Sequence, residues 1–433
     1  MSNIIHARWL LIVLTLASLL LTQCGFGRAE PTPAPVTLSW ATWQENSAVE
    51  VELMKRYREQ FPNITFQRQG MQLGENMADR EPALDLVNVL VNYDFLRASK
   101  AGSYVDLTEL WNDGGLNTAI PHSFQQLTEQ ENKQFLVPAA FDWSGIYYNK
   151  AVFEQYQLQP PQSWDDLARL CDQLLLNNEI PFALAGDGFT IRLWFDYLLL
   201  RVGGMQFYRD LIDGKVSYQD IRVQDAIDRW QTLLNQGCFV EDAKRYDDQS
   251  AIKMLVRDDK GMLGSTKAAM MLVDAFTFTQ LPEKLRQGID FFRFPQIMPD
   301  VPQAEIVAIT GYAIPTKSVN SSQALDFLKF MATQESQEAF LQEAFVSSAL
   351  LAPVRNDIAA DKMSEDMKQA VQLVNESESV APLSFVWMPT EMIGRTELAY
   401  RKLLDNDWDF IGFVELLEEA RQSALESGLF TQE

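Results

Sequence analysis

Histidine is almost absent from this chain: its 433 residues include two, His6 and His122. A Ser-His-Asp hydrolase would have to be built around His122, which follows Pro121 in a loop-like stretch and has no GxSxG context. No HExxH and no His/Cys cluster occurs, which removes the usual zinc sites. Cysteine is nearly as scarce, at three residues (Cys24, Cys171 and Cys238), none in a CxxC pair. Positive charge is short as well. Thirty-six Lys and Arg face 59 Asp and Glu, for a net charge of −23. Such a surface repels phosphate backbones and anionic lipid heads, so nucleic acid is excluded as a partner and a neutral or cationic ligand is favoured. Acidity is equally a common solubility device. Two motif fragments also fail. Gly261–Lys267 has the wrong spacing for a P-loop, and the Asp405, Asp407, Asp409 series carries Phe410 and Leu416 where a calcium loop needs Gly and Glu.

Long apolar runs are missing too, apart from Trp9–Leu21 (WLLIVLTLASLLL). At about 13 residues it is too short to cross a bilayer and has the length of a signal-peptide core. Leu21-Thr22-Gln23-Cys24 resembles the lipobox of bacterial lipoproteins, with Gln23 where a small residue is usual. This implies a signal peptide over 1–23 and a lipid on Cys24. A plain secretory signal cut nearby is the alternative. Residues 24–35 (CGFGRAEPTPAP) read as the lipidated cysteine and a semi-extended linker. The expected location is extracytoplasmic, either lipid-anchored to the outer face of the cell membrane or periplasmic.

What remains is ordinary globular sequence, 47% hydrophobic and 22% charged. About 410 residues exceed one hydrophobic core, so two domains are expected. Strand-like runs alternate with amphipathic helices, which predicts an α/β protein. Val36–Trp40 alternates like a strand. Val49, Leu53, Tyr57 and Phe61 keep helical spacing until Pro62 and Asn63 break it. Leu84–Val91 (LDLVNVLV) is a nearly continuous apolar run, as in a strand buried on both faces. Further helices are predicted at Trp164–Leu176, Val223–Asn235, Ser322–Phe340 and Phe413–Leu425. Cys171 falls on one helix and Cys238 closes another. They are read either as a disulfide or as two buried thiols.

The order of short segments is similar to that of the family 1 extracellular solute-binding proteins, the maltose-binding-protein-like receptors of ABC importers. Leu38-Ser39-Trp40-Ala41-Thr42-Trp43 resembles the family's first strand and Phe61-Pro62-Asn63-Ile64 its helix exit. Asp85-Leu86-Val87 through Ala101-Gly102 and Val105-Asp106-Leu107 follow in family order. So do Val137-Pro138, Tyr147-Tyr148-Asn149-Lys150, Trp164-Asp165-Asp166-Leu167, Lys267-Ala268-Ala269-Met270, Gly311-Tyr312-Ala313-Ile314-Pro315 and Pro353-Val354-Arg355.

The resemblance implies a two-lobed, type II-like periplasmic-binding fold, each lobe a mixed sheet flanked by helices. One lobe would comprise 36–138 plus 312–345, the other 139–311 plus 346–433. A sugar would be gripped in the cleft by hinge closure and passed to membrane permease subunits without any cofactor or metal, by a monomer rather than an enzyme. A sugar offers C–H faces and a rim of hydroxyls, so aromatic plates and nearby carboxylates or amides are its natural partners. The resemblance assigns these roles to Trp43, Glu45, Asn92, Tyr93, Asp142, Trp143, Asp187, Trp194, Asp274, Phe276, Gly311 and Trp387. Trp111, Trp164, Trp230 and Trp408 lie on helix starts or apolar stripes and are assigned to the core. Two rivals stay open. An extracellular glycoside hydrolase needs only two acids and an aromatic cleft, and a surface adhesin or scaffold lipoprotein would share the linker and the acidity.

Overall fold

The computed structural model describes residues 33–43, 47–186, 188–257, 266–346, 352–405 and 408–430. The proposed leader, Cys24 and most of the linker lie outside them. Among the described residues, eleven strands follow one another: β1 Val36–Thr42, β2 Ile64–Gly70, β3 Leu86–Leu90, β4 Glu129–Gln130, β5 Lys133–Gln134, β6 Val137–Asn149, β7 Ile180–Phe182, β8 Ala268–Asp274, β9 Ile289–Phe292, β10 Ala304–Ala313 and β11 Ser379–Ala381. β4 and β5 form a separate two-stranded ribbon. The other nine build one mixed sheet along the path β2-β1-β3-β10-β6-β8-β7, with β11 beside β10 and β9 beside β6.

Two long strands organise this sheet. β6 runs for 13 residues, VPAAFDWSGIYYN, almost all of them buried, which is the pattern of a strand covered on both faces. Its first half pairs antiparallel with β10 and its second half with β8 and β9. β10 in turn passes from β11 at its start to β3 near its end. The two strands therefore belong to both halves of the sheet. At Gly311 the β6–β10 register shifts, and a Cβ there would lie 2.5 Å from the Val137 carbonyl oxygen. Only glycine lets the two backbones approach so closely.

The first half, β2-β1-β3, is parallel and carries helix Ala48–Gln60, which packs against helix Gln334–Val346. A buried polar knot ties the end of β1 to that helix. Thr42 and Asn88 both donate to Glu50 Oε1 at 2.8 Å, Arg68 reaches Glu50 Oε2 at 3.2 Å, and the Trp40 indole donates to Asn88 Oδ1. Burial raises the Glu50 carboxyl above its usual range despite these partners. Its strand-exit loop is thus anchored one residue before Trp43.

The second half is dominated by helix Phe189–Ile212, buried on nearly every side and interrupted at Gly204, whose φ of 76° no helical residue shares. Arg201 on this helix meets Glu305 of β10 at 2.8 Å, with both groups buried, and Tyr197 adds a 3.2 Å bond to the same carboxylate. The helix Trp164–Leu176 has the predicted bounds, because Ser163 and Asp166 form a reciprocal capping box. The single helix expected over Ser322–Phe340 is two, Ser321–Met331 and Gln334–Val346. The break falls where Thr333 caps Ser336 through its hydroxyl. Trp111, Trp164 and Trp230 are buried. Trp408 is only half-buried, packed edge-on against Trp230.

Candidate functional site

Parallel strands present their ligands beyond their carboxyl ends, and here several such ends meet along β6. β3 stops at Leu90, which pairs with Thr310; Thr310 pairs with Ala140, and Ala308 with Asp142. From the other side β8 ends at Asp274, paired with Ser144. The exits of β3 and β8 therefore approach Asp142 from opposite flanks.

At this junction two carboxyl groups and an aromatic ring assemble. Asp142 Oδ1 accepts from the backbone N–H of Trp143 at 3.0 Å and of Phe276 at 3.2 Å. Asp274 Oδ1 accepts from Thr277 N–H at 2.9 Å and so caps the short helix Ala275–Thr279. Burial, followed by the neighbouring Asp274 charge, holds the Asp142 carboxyl well above its ordinary range; burial raises Asp274 too. Both residues keep partial contact with solvent. Phe276, between them in the chain's fold, is 63% exposed. An aromatic left in water beside two crowded acids has no packing reason to be there.

On the other flank Trp43 follows β1 and is half-buried. Tyr93 begins helix Tyr93–Lys100 and donates its hydroxyl to the Leu429 carbonyl at 2.9 Å. Its neighbour Asp94 accepts a 2.8 Å bond from the Thr390 hydroxyl. Trp387 is half-buried, with the Arg209 guanidinium 4.8 Å from its ring centre. Tyr93, Arg97, Lys100, Arg209, Trp387 and Phe430 border a crevice of about 530 Å³.

Two of the aromatic candidates lie in the core, and two further candidates have structural partners. Trp194 is fully buried, standing edge-on to Phe182, Phe239 and Phe294 at ring distances of 5.0, 5.1 and 5.5 Å, so it is core. Trp143 is 1% exposed and packs against Phe141 and Phe291. Its side chain lies on the opposite face of β6 from that of its neighbour Asp142, as alternation along a strand requires. Asn92 has both ends of its amide engaged, accepting from Phe95 N–H at 2.8 Å and donating to the Gly74 carbonyl at 3.0 Å. Gly311 serves the close approach of β6 and β10 described above. Glu45, Asp187 and Cys24 lie outside the described residues. The junction thus joins Asp142, Asp274 and Phe276. Trp43, Tyr93 and Trp387 stand on the surrounding elements. Thr390, Arg209 and Leu429 were not singled out from the sequence, and contacts spanning hundreds of residues leave no local signal there.

A model of the bacterial extracellular solute-binding proteins matches residues 40–338, and the chain belongs to that family. It is accordingly an extracytoplasmic protein. An uncharacterized ABC transporter extracellular-binding protein of Pyrococcus horikoshii is 23% identical over 397 residues, 86% of this chain and 85% of the relative. The multiple sugar-binding protein of Streptococcus mutans is 29% identical over 203 residues, covering 45% of this chain and 47% of the relative. Among solved structures, the solute receptor AcbH, described as having an exclusive preference for β-D-galactopyranose, superposes with a TM-score of 0.78 at 19% identity. That match covers 91% of this chain and 98% of the receptor. A chitin oligosaccharide binding protein gives 0.72 at 18% identity, over 91% and 100%.

Proposed function

We propose that this protein is the substrate-capturing receptor of an ABC importer and that it binds a sugar or oligosaccharide between two lobes. The lobes are residues 36–138 plus 312–345 and residues 139–311 plus 346–433, with β6 and β10 crossing between them. Ligand closes the lobes about these strands, and the loaded receptor delivers its cargo unchanged to the permease. The observation that carries the reading is Phe276, a solvent-facing plate set beside the Asp142 and Asp274 carboxyls. Its ring stacks on the C–H face of a pyranose while the acids accept from its hydroxyls. Trp43 supplies a second plate from the other lobe, and Glu45 and Asp187 are proposed as further ligand contacts. The sugar-binding names among the relatives support this ligand class. We further propose that a lipidated Cys24 and the linker to residue 35 hold the receptor as a monomer at the membrane.

Titration with a panel of mono- and oligosaccharides, followed by tryptophan fluorescence and calorimetry, tests the reading. One ligand class should give saturable, stoichiometric binding. A flat response to every sugar would overturn it. The paired acids are also the equipment of a glycosidase, so the same mixtures are assayed for reducing sugar. Release over hours would favour that second reading.

A further inference from the structure

The two free thiols of the second half lie on either side of one short strand. Helix Trp164–Leu176 turns at Asn177–Glu179 straight into β7 and packs back along it. From Cys171 to Asn177 the helix rises about 9 Å, and from Glu179 to Phe182 the strand climbs about 10 Å, so Cys171 comes level with Phe182. Cys238 arrives at the same level from the end of helix Ile221–Asn235. Its carbonyl accepts from Phe182 N–H at 2.8 Å, and Val240 N–H returns a 2.9 Å bond to the Phe182 carbonyl. Both cysteines are completely buried. Cys238 neighbours Cys171 closely enough that, together with burial, it pushes the ionisation of the Cys171 thiol upward, while the Cys238 thiol itself donates to Gln236 Oε1 at 3.6 Å.

We infer that Cys171 and Cys238 form a disulfide in the exported protein, stapling helix Trp164–Leu176 to the turn that closes helix Ile221–Asn235. The compartment permits it, since the family works outside the reducing cytoplasm. The oxidant is a dithiol-disulfide exchange partner. One cysteine thiolate attacks the oxidant's disulfide, giving a mixed disulfide and one oxidant thiolate. The second cysteine thiolate then displaces the oxidant's other sulfur. Two electrons and two protons leave the receptor, and the oxidant departs as a dithiol. Because both sulfurs are buried in the folded chain, exchange takes place while helix Trp164–Leu176 is still undocked. The finished bond is closed to mild reductants.

Protein taken from its own extracytoplasmic compartment is denatured in alkylating reagent without reductant, then digested and mapped by mass. A peptide holding Cys171 joined to one holding Cys238, two hydrogens lighter than the sum, is the expected product. Recovery of both peptides fully alkylated, or of either joined to a different chain, would overturn the inference. Thermal melts add an independent reading. A strong reductant applied during unfolding should lower the Tm of the natural chain by about 5–10 °C. It should leave the Cys171→Ala/Cys238→Ala double variant unmoved. Equal sensitivity of the two proteins to reductant would also overturn it.

Discussion

The hydroxyl of Tyr93 and the carbonyl of Leu429 share a 2.9 Å hydrogen bond between residues 336 positions apart in sequence. The partners sit in what we divide as opposite lobes, and Thr390 bonds Asp94 one residue further on. Contacts of this kind stabilise a closed arrangement only while it is closed. Tyr93→Phe should therefore weaken ligand binding about 3- to 10-fold, the worth of one net hydrogen bond. Calorimetric titration measures this. The melting point of the ligand-free protein should hardly change.

Phe276 and Trp194 make opposite tests. Phe276→Ala removes an exposed ring and should cost about 1–3 kcal/mol of sugar affinity without lowering stability. Phe276→Trp should keep the affinity. Trp194→Ala opens a cavity among three aromatic rings and should cost about 3–5 kcal/mol of folding free energy. Denaturant titration beside ligand titration separates the two effects.

Asp196 provides a pH dependence. Burial raises its pKa from 3.8 to about 6, with one carboxylate oxygen held by Ser384 N–H at 2.9 Å. The folded chain then keeps this proton where the unfolded chain has lost it. The contribution to stability is complete below about pH 4, falls as pH rises through 6, and is absent at 7. Asp196→Asn should flatten that slope and stabilise the protein by about 1–3 kcal/mol at pH 7. Urea midpoints from pH 4 to 7.5 measure it.

The buried Arg201–Glu305 pair should be sensitive to removal of one member. Glu305→Gln leaves a guanidinium buried without its counter-charge, and about 3–5 kcal/mol should be lost. Arg201→Met combined with Glu305→Leu should lose less than either single change. Chemical denaturation of the three variants gives the comparison.

Local chemistry was legible in the sequence where it is sufficient to decide structure. The Ser163 and Asp166 capping box set a helix in its true bounds. The apolar run before Asn92 is a strand, and the Phe276 position is an exposed ring beside Asp274. Reading Trp194 from its neighbours went wrong for a physical reason. The Gly186–Gly188 turn before it suggests a surface loop, yet helix Phe189–Ile212 is apolar around its whole circumference, and such a helix belongs in the interior. Trp143 followed Asp142 into the site on paper, but adjacent strand residues face opposite ways. The Thr333 break and the Tyr93–Leu429 bond could not be read at all. The first depends on a hydroxyl competing with the backbone, the second on a chain reversal hundreds of residues long.

β6 and β10 are continuous through the middle of the molecule, and the place where their pairing slips is also the place where Gly311 removes the last side chain between them. A flexible tether would let its two ends wander independently. A pleated ribbon paired on both sides of a single register slip resists bending and yields most easily by twisting about its own length. If the two flanks move as lobes, their relative movement should follow that axis, with a restoring torque built into the peptide backbone itself.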